Sequence, residues 1–215
     1  PAYLRDLIIE KQVSTLHFVP SMLTAFLASP GIDRCTSIKQ VFCSGEALQV
    51  EHEKRFFDKL PQSALYNLYG PTEASIDVSW YACNKENNYS SVPIGKPIVN
   101  TQLHILDQNL KPLPAGITGE LYIGGIGLAH GYLNRNELTS KTFIDNPYNT
   151  IGHPSEKLYR SGDLARLTRD GQILYLGRTD HQVKLRGNRI ELGEIESALL
   201  KHELINEAVV MAYQQ

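Results

Sequence analysis

Apolar and polar positions along the first third of the chain switch between two periods. Leu4, Leu7 and Ile8 recur at helical spacing, and residues 50–59 read as a second amphipathic helix. Between and after them lie short apolar runs of strand character: Thr15 to Val19, Ile38 to Cys43 and Ala64 to Leu68. Pro20 ends the first run, and Ser21 is placed to cap a helix through Leu27. Strands alternating with helices predict parallel pairing in an α/β sheet. The polar segments Pro20-Ser21, Ser44-Gly45-Glu46 and Tyr69-Gly70-Pro71-Thr72 then fall at the C-terminal strand ends, the edge where open α/β sheets bind ligands.

The pattern changes near residue 95. Strand candidates follow one another at Leu103 to Leu106, Glu120 to Ile123, Leu164 to Leu167 and Ile173 to Leu176, separated by turn-rich segments. This predicts a β-rich, barrel-like unit over 95–180 after an α/β unit over 1–94, with polar loops at Asn84 to Ser91 and Asn146 to Lys157. A smaller α/β unit begins at 181. Its helix carries Leu192, Ile195 and Leu199 on one face and Glu191, Glu194 and Glu196 early, where the helix dipole favours them. Ala208 to Met211 reads as a strand that leaves this unit unfinished at 215. The helical pattern beginning at Pro1 likewise predicts that the 215 residues are a piece of a longer polypeptide.

Composition narrows the classes. The formal net charge is −2 with 42% hydrophobic and 20% charged residues, an ordinary globular balance that argues against nucleic-acid binding. The densest basic cluster, Lys184, Arg186 and Arg189, has acidic residues just downstream. Cys35, Cys43 and Cys83 show no zinc or disulfide spacing, and Cys43 reads as a buried, inert thiol. A reducing, cytoplasmic compartment is the expectation. No apolar run approaches about 20 residues, so no membrane helix is predicted.

The chemistry-bearing signal is Tyr69-Gly70-Pro71-Thr72-Glu73. It offers backbone N–H groups and a hydroxyl suited to phosphate, and a carboxylate suited to Mg²⁺. Taken singly, each feature also has a plain reading. Gly70-Pro71-Thr72 fits a turn, Asp163 a helix cap, Arg178 with Asp180 a surface ion pair, and His17 a satisfied core histidine.

The ordered set changes the balance. Asn67 to Glu73 is followed by Gly119-Glu120-Leu121-Tyr122-Ile123-Gly124-Gly125 and by Gly127-Leu128-Ala129-His130-Gly131-Tyr132-Leu133. Tyr159-Arg160-Ser161-Gly162-Asp163-Leu164 comes next, and the longest block runs from Gly177 to Glu196. Together they resemble the adenylate-forming enzymes, most closely the adenylation domains of nonribosomal peptide synthetases. The resemblance covers essentially the whole chain. Ser161 stands where Thr is commoner, and His130 where Arg is common.

The resemblance implies activation of an amino acid by ATP and Mg²⁺ to an aminoacyl-adenylate, then transfer to phosphopantetheine on a carrier domain, with condensation domains as further partners. It implies Thr72 on phosphate, Glu73 on the metal, Tyr69 against the adenine face and Asn67 at its amino edge. Gly45, Glu46, Ala47 and Gly70 complete the adenine surroundings. Asp163 holds the ribose, with Arg178 beside it. Asp180 is the implied hinge of a small lobe, which puts the boundary of the large unit at 180, and Gly187 faces the pantetheine arm. His17, Phe42, Ser44, Leu68, Ile76 and Asp77 are the implied side-chain pocket, a set that suits serine over threonine. The family's phosphate loop, its amine-binding Asp and its C-terminal lysine find no match here, so the piece alone is expected to be inactive or nearly so. An acyl- or aryl-CoA ligase, or a non-catalytic binding module of the same descent, are the alternatives.

Overall fold

In a computed structural model of the protein the described residues are 1–86, 89–149, 155–180, 182–185, 187–202 and 204–212. Parts of the two predicted loops, His181 of the longest block and Arg186 of the basic cluster lie outside them.

The first unit is built on β1 (Thr15–Phe18), β2 (Gln40–Cys43) and β3 (Ala64–Tyr69), paired in parallel with Thr15 opposite Gln40 and Gln40 opposite Ala64. Helices α1 (Ala2–Lys11), α2 (Pro20–Leu27) and α3 (Val50–Lys59) pack on one face only. There Ile8, Leu23, Phe26, Phe56 and Leu60 join Phe18, Val41, Cys43 and Leu65 in one core. Pro20, rather than Ser21, sets the start of α2: it takes the first helical turn and Val19 caps it. Proline's missing N–H costs nothing there.

Two strands not anticipated from the sequence extend the sheet antiparallel, β4 (Ser79–Ala82) and β5 (Lys96–Pro97), giving the order β1-β2-β3-β4-β5. β4 turns Ser79 and Tyr81 inward, so its buried positions are only half apolar. Ser79 is fully buried, and its hydroxyl donates to the Ile94 carbonyl at 2.7 Å.

The β-rich unit is a curled, open antiparallel sheet. It holds β6 (Thr101–Leu106), β7 (Thr118–Gly125), β8 (Phe143–Asp145), β9 (Lys157–Leu167) and β10 (Ile173–Arg178), with order β10-β9-β7-β6 and β8 on the early part of β9. A short helix, α4 (Asn136–Thr142), precedes β8. The strand read at Leu164 to Leu167 is the second half of the eleven-residue β9, whose polar centre carries Arg160, Ser161 and Asp163. A second core joins this sheet to the first, through Tyr69, Val78 and Ile94 against Leu121, Tyr159 and Ile173.

Beyond it, β11 (Gln182–Leu185) and β12 (Asn188–Glu191) form a separate hairpin, followed by α5 (Leu192–Leu199). Ala208 to Met211 forms no strand; Val209 and Met211 are more than four-fifths exposed. The segment has the residues of a strand but pairs with no strand among the described residues. No helix among the described residues is long and apolar enough to cross a membrane.

Candidate nucleotide and amino-acid site

The strand period of two divides the site. On β3, Asn67 and Tyr69 point to one side of the sheet and Leu68 to the other. Register puts His17, Phe42 and Tyr66 in a row across β1, β2 and β3, on the face without helices.

On the Asn67 side is a cavity of ≈640 Å³. Seven of the nine residues expected at a nucleotide line it: Gly45, Glu46, Ala47, Asn67, Tyr69, Gly70 and Arg178. The converging strand ends are tied directly, since the Ser21 N–H donates to Glu46 Oε2 at 3.0 Å. Two buried polar atoms in the wall have no hydrogen-bond partner among the described residues. One is Asn67 Oδ1, whose amide group donates instead to the Pro93 carbonyl at 2.8 Å; the other is Ser91 Oγ. Buried polar atoms are rarely left unpaired, so these two are open to a polar group entering the cavity. Tyr175 faces Tyr69 with 6.3 Å between ring centroids, and burial pushes its hydroxyl up to about 12. A broader depression of ≈700 Å³ lies on the curled sheet around Leu106, Glu120 and Arg160 and gathers none of the expected site residues.

Asp163 and Thr72 do not line the cavity wall. Asp163, on β9, is 5% exposed and sits opposite Arg178 of β10. Arg178 Nη1 donates to Asp163 Oδ1 at 2.9 Å, and the Tyr69 hydroxyl donates to Oδ2. The Asp163 N–H is itself held by Ser161 Oγ at 3.0 Å. Burial pushes the Asp163 carboxyl up, against the pull of Tyr69 and Arg178. Burial also drives the Tyr69 hydroxyl well above its ordinary value, with the Asp163 charge adding to it. Arg178 spans two carboxylates, because its Nε and Nη2 reach Asp180 at 2.6 Å each. A Cβ at Gly162 would lie 2.7 Å from Arg178 Nη2, at φ +72°, so a larger residue there would be strained and would push on the Arg178 guanidinium. Thr72 is exposed in the single turn Thr72–Ala74.

Glu73, in the same turn, is buried. Its Oε1 accepts from the Tyr132 hydroxyl at 2.7 Å and from Arg189 Nη1 at 2.8 Å, and Oε2 accepts from Arg189 Nη1 at 3.0 Å. Burial raises this carboxyl, but Tyr132 and Arg189 together bring it below the usual value. Among the described residues no three acidic, histidine or cysteine side chains cluster to hold a metal. With Arg189 in place, Glu73 does not fit Mg²⁺.

On the opposite face, His17 Nε2 and Ser44 Oγ are 2.8 Å apart. Phe42 stacks on Tyr66 at 5.1 Å; Leu68, half-buried farther along β3, also lines the ≈640 Å³ cavity beside Asn67 and Tyr69. Asp77 Oδ1 is buried and lacks a partner among the described residues; burial raises its carboxyl while His17 draws it back. Ile76, two-thirds exposed, sits at φ +78° beside Ser75 at +63°. A β-branched residue there is strained. The strain is held by the Val78 N–H on the Tyr69 carbonyl at 2.7 Å and by Ser75 Oγ on the Gly127 carbonyl at 2.7 Å.

A family model described as AMP-binding enzyme matches residues 1–133. The chain belongs to this family. Tyrocidine synthase 3 of Brevibacillus parabrevis is 48% identical over 213 residues, 99% of this chain and 3% of that protein. Enterobactin synthase component F of Escherichia coli (strain K12) is 48% identical over 220 residues, 99% of this chain and 17% of that protein. The chain thus spans only a small part of these relatives' length. Among solved structures, an NRPS protein containing adenylation and PCP domains superposes with a TM-score of 0.89 at 28% identity, covering 100% of this chain and 43% of that one. The Vibrio cholerae adenylation domain AlmE, solved in complex with glycyl-adenosine-5'-phosphate, gives 0.80 at 30%, covering 92% and 37%. The fold of this AMP-binding chain is therefore that of the nonribosomal peptide synthetase adenylation domains.

Ser91, Tyr132, Tyr175, Lys184 and Arg189 enter the site without having been singled out as ligands in the sequence. Tyr132 and Arg189 were inside matching blocks. Ser91 closes a polar loop and carried no signal.

Proposed function

We propose that the protein from which these residues come activates an amino acid with ATP and passes it to a carrier-bound phosphopantetheine thiol. The observation that carries the reading is the ≈640 Å³ cavity, in which an unpaired carboxamide oxygen, Asn67 Oδ1, waits between expected adenine-contacting segments. That oxygen accepts from an exocyclic amine; a base with a carbonyl there would be repelled. Asp163 keeps lone pairs beyond those taken by Arg178 and Tyr69 and so can accept from ribose hydroxyls. The substrate carboxylate attacks the α-phosphorus, the bond to the bridging oxygen breaks, and pyrophosphate leaves with its electron pair. Both reactants are anionic, so positioning and charge neutralisation carry the catalysis. Thr72, exposed at the strand end, is the hydroxyl offered to phosphate.

For the amino acid, the His17–Ser44 pair and the unpaired Asp77 favour a small hydroxylated side chain. L-Serine satisfies them. A hydrocarbon side chain leaves Asp77 unpaired, at about 1–3 kcal/mol. The test is amino-acid-dependent ATP–pyrophosphate exchange by the whole protein across a panel with serine, threonine, alanine and salicylate. Exchange peaking with serine and lost in Asp77→Ala supports both parts. A different amino acid at the peak sinks the pocket reading, salicylate at the peak favours an aryl ligase, and no exchange from folded protein favours a binding module.

A further inference from the structure

We infer that Ser91 is a specificity-determining residue for the base: its hydroxyl donates to adenine N1 while Asn67 Oδ1 accepts from the exocyclic amine beside it. This rests on reading the ≈640 Å³ cavity as the nucleotide site. The observation behind it is a pair of atoms. Asn67 Oδ1 and Ser91 Oγ both belong to this wall, are both buried, and both lack a hydrogen-bond partner among the described residues. Their chemistry differs. The Asn67 amide nitrogen donates to the Pro93 carbonyl at 2.8 Å, so turning the carboxamide over would set two carbonyl oxygens against each other. The oxygen left facing the cavity only accepts. Ser91 has a rotatable hydroxyl with a proton to give.

An acceptor beside a donor complements a base edge that pairs an amine with a bare ring nitrogen. Adenine has that edge. Guanine puts a carbonyl oxygen in place of the amine, and Asn67 Oδ1 repels it. Position selects N1 over N7. Asp163, the expected ribose acceptor, accepts from the Tyr69 hydroxyl, and Thr72 stands beyond the end of β3. Asn67 lies two residues deeper along the strand than Tyr69, and the 91–93 segment meets the cavity there, through the Pro93 bond. N7 belongs to the ring that carries the ribose, and N1 to the far ring. The segment is also held in place. Before Ser91, the Tyr89 hydroxyl donates to Asp170 in the turn between β9 and β10, and Tyr89 packs edge-on against Tyr81. After it, the Ile94 N–H donates to the Ile173 carbonyl at 2.8 Å. Both sheets therefore fix the stretch that carries Ser91, and a ligand that bonds there has little left to order.

The experiment is calorimetric titration of the whole protein with AMP and with two analogues in which C–H replaces one ring nitrogen, 1-deaza-AMP and 7-deaza-AMP. Wild type should bind 1-deaza-AMP about three- to tenfold more weakly than AMP, through the loss of one hydrogen bond, and 7-deaza-AMP within about twofold of AMP. Ser91→Ala should bind AMP about three- to tenfold more weakly and no longer distinguish it from 1-deaza-AMP. A side chain acting only through stability would leave the ratio of the two affinities as it is in the wild type. Equal binding of AMP and 1-deaza-AMP by the wild type overturns the inference whatever the variant does. So does a Ser91→Ala chain in which the two losses multiply, or one in which it is the 7-deaza-AMP ratio that collapses, which assigns Ser91 to N7. Absence of AMP binding by folded wild type sinks the nucleotide reading itself, and the inference with it.

Discussion

Replacing Gly70 by alanine tests the claim that close backbone approach, more than any side chain, shapes the strand end. A Cβ at Gly70 would lie 2.2 Å from the Ile76 carbonyl oxygen, 2.8 Å from its carbon and 2.9 Å from Asp77 Cα. None of these is a flexible side-chain end that can swing away. The Ser75–Asp77 segment is pinned by the Val78 N–H on the Tyr69 carbonyl and already carries two residues, Ser75 and Ile76, in the left-handed region. Overpacking of this kind costs about 1–3 kcal/mol, and a rigid backbone neighbour puts it at about 2–3. For a chain of this size each kcal/mol lowers Tm by roughly 2–4 °C, so Gly70→Ala should lower it by roughly 4–12 °C. Thermal unfolding followed by circular dichroism reads this, and AMP titration should show weakened binding as the Gly70 edge shifts. Gly193→Ala is the control. Nothing lies within 4 Å of a Cβ there, its φ is ordinary and it sits inside α5. The same methyl should favour the helix by up to about 1 kcal/mol. A Gly70→Ala chain melting within about 2 °C of wild type, or one indistinguishable from Gly193→Ala, refutes the reasoning.

Removing the Tyr69 hydroxyl with phenylalanine leaves buried Asp163 one donor short. It should cost about 1–3 kcal/mol in urea unfolding while the adjoining cavity weakens its hold on AMP. Asp77→Asn should stabilise the unliganded chain at pH 7 by about 0.5–1 kcal/mol, discounted for its half-exposed position. The sign follows from the raised carboxyl: the protonated form is the one the fold prefers, so Asp77 favours folding at low pH and loses this as pH rises through its folded value. The advantage of asparagine should therefore vanish near pH 3, and an equal gain at both pH values would count against the burial argument. Ser91→Ala should be neutral or slightly stabilising, because it deletes an unpaired buried hydroxyl, yet weaken AMP binding about three- to tenfold by calorimetry.

Elements whose burial follows their pattern were legible in the sequence. Helix 50–59 and the strands at Thr15, Gln40 and Ala64 emerge close to their predicted bounds, because one face of each is apolar and meets the same core. β4 and the early part of β9 were missed although Tyr81, Leu158 and Tyr159 are buried there; the polar residues in the same runs, Ser79 and Ser161, satisfy themselves on backbone carbonyls and interrupt the apolar pattern. Ala208–Met211 erred in the other direction, since strand propensity without a partner makes no strand. Among site residues, motif order placed Gly45 to Ala47, Asn67, Tyr69 and Arg178 around one cavity. It could not show that Glu73 meets Arg189, because that contact depends on how the hairpin folds back.

The two halves of the site follow from one property of β3. Asn67 and Tyr69 are drawn inward, with Tyr69 in the core shared with the curled sheet, so whatever touches them is positioned by both units at once. Leu68 alternates to the helix-free face that carries Phe42, although it also contributes to the wall of the ≈640 Å³ cavity. On the proposed reading, Phe42→Ala should therefore alter amino-acid preference while the Tyr69–Asp163–Arg178 cluster keeps its hold on AMP, which calorimetric AMP titration reads. A substitution at Tyr69 strikes the seam between the sheets and the nucleotide side together. On the proposed reading, strand alternation sets the amino-acid and nucleotide sides one residue apart on β3, with Leu68 bordering both.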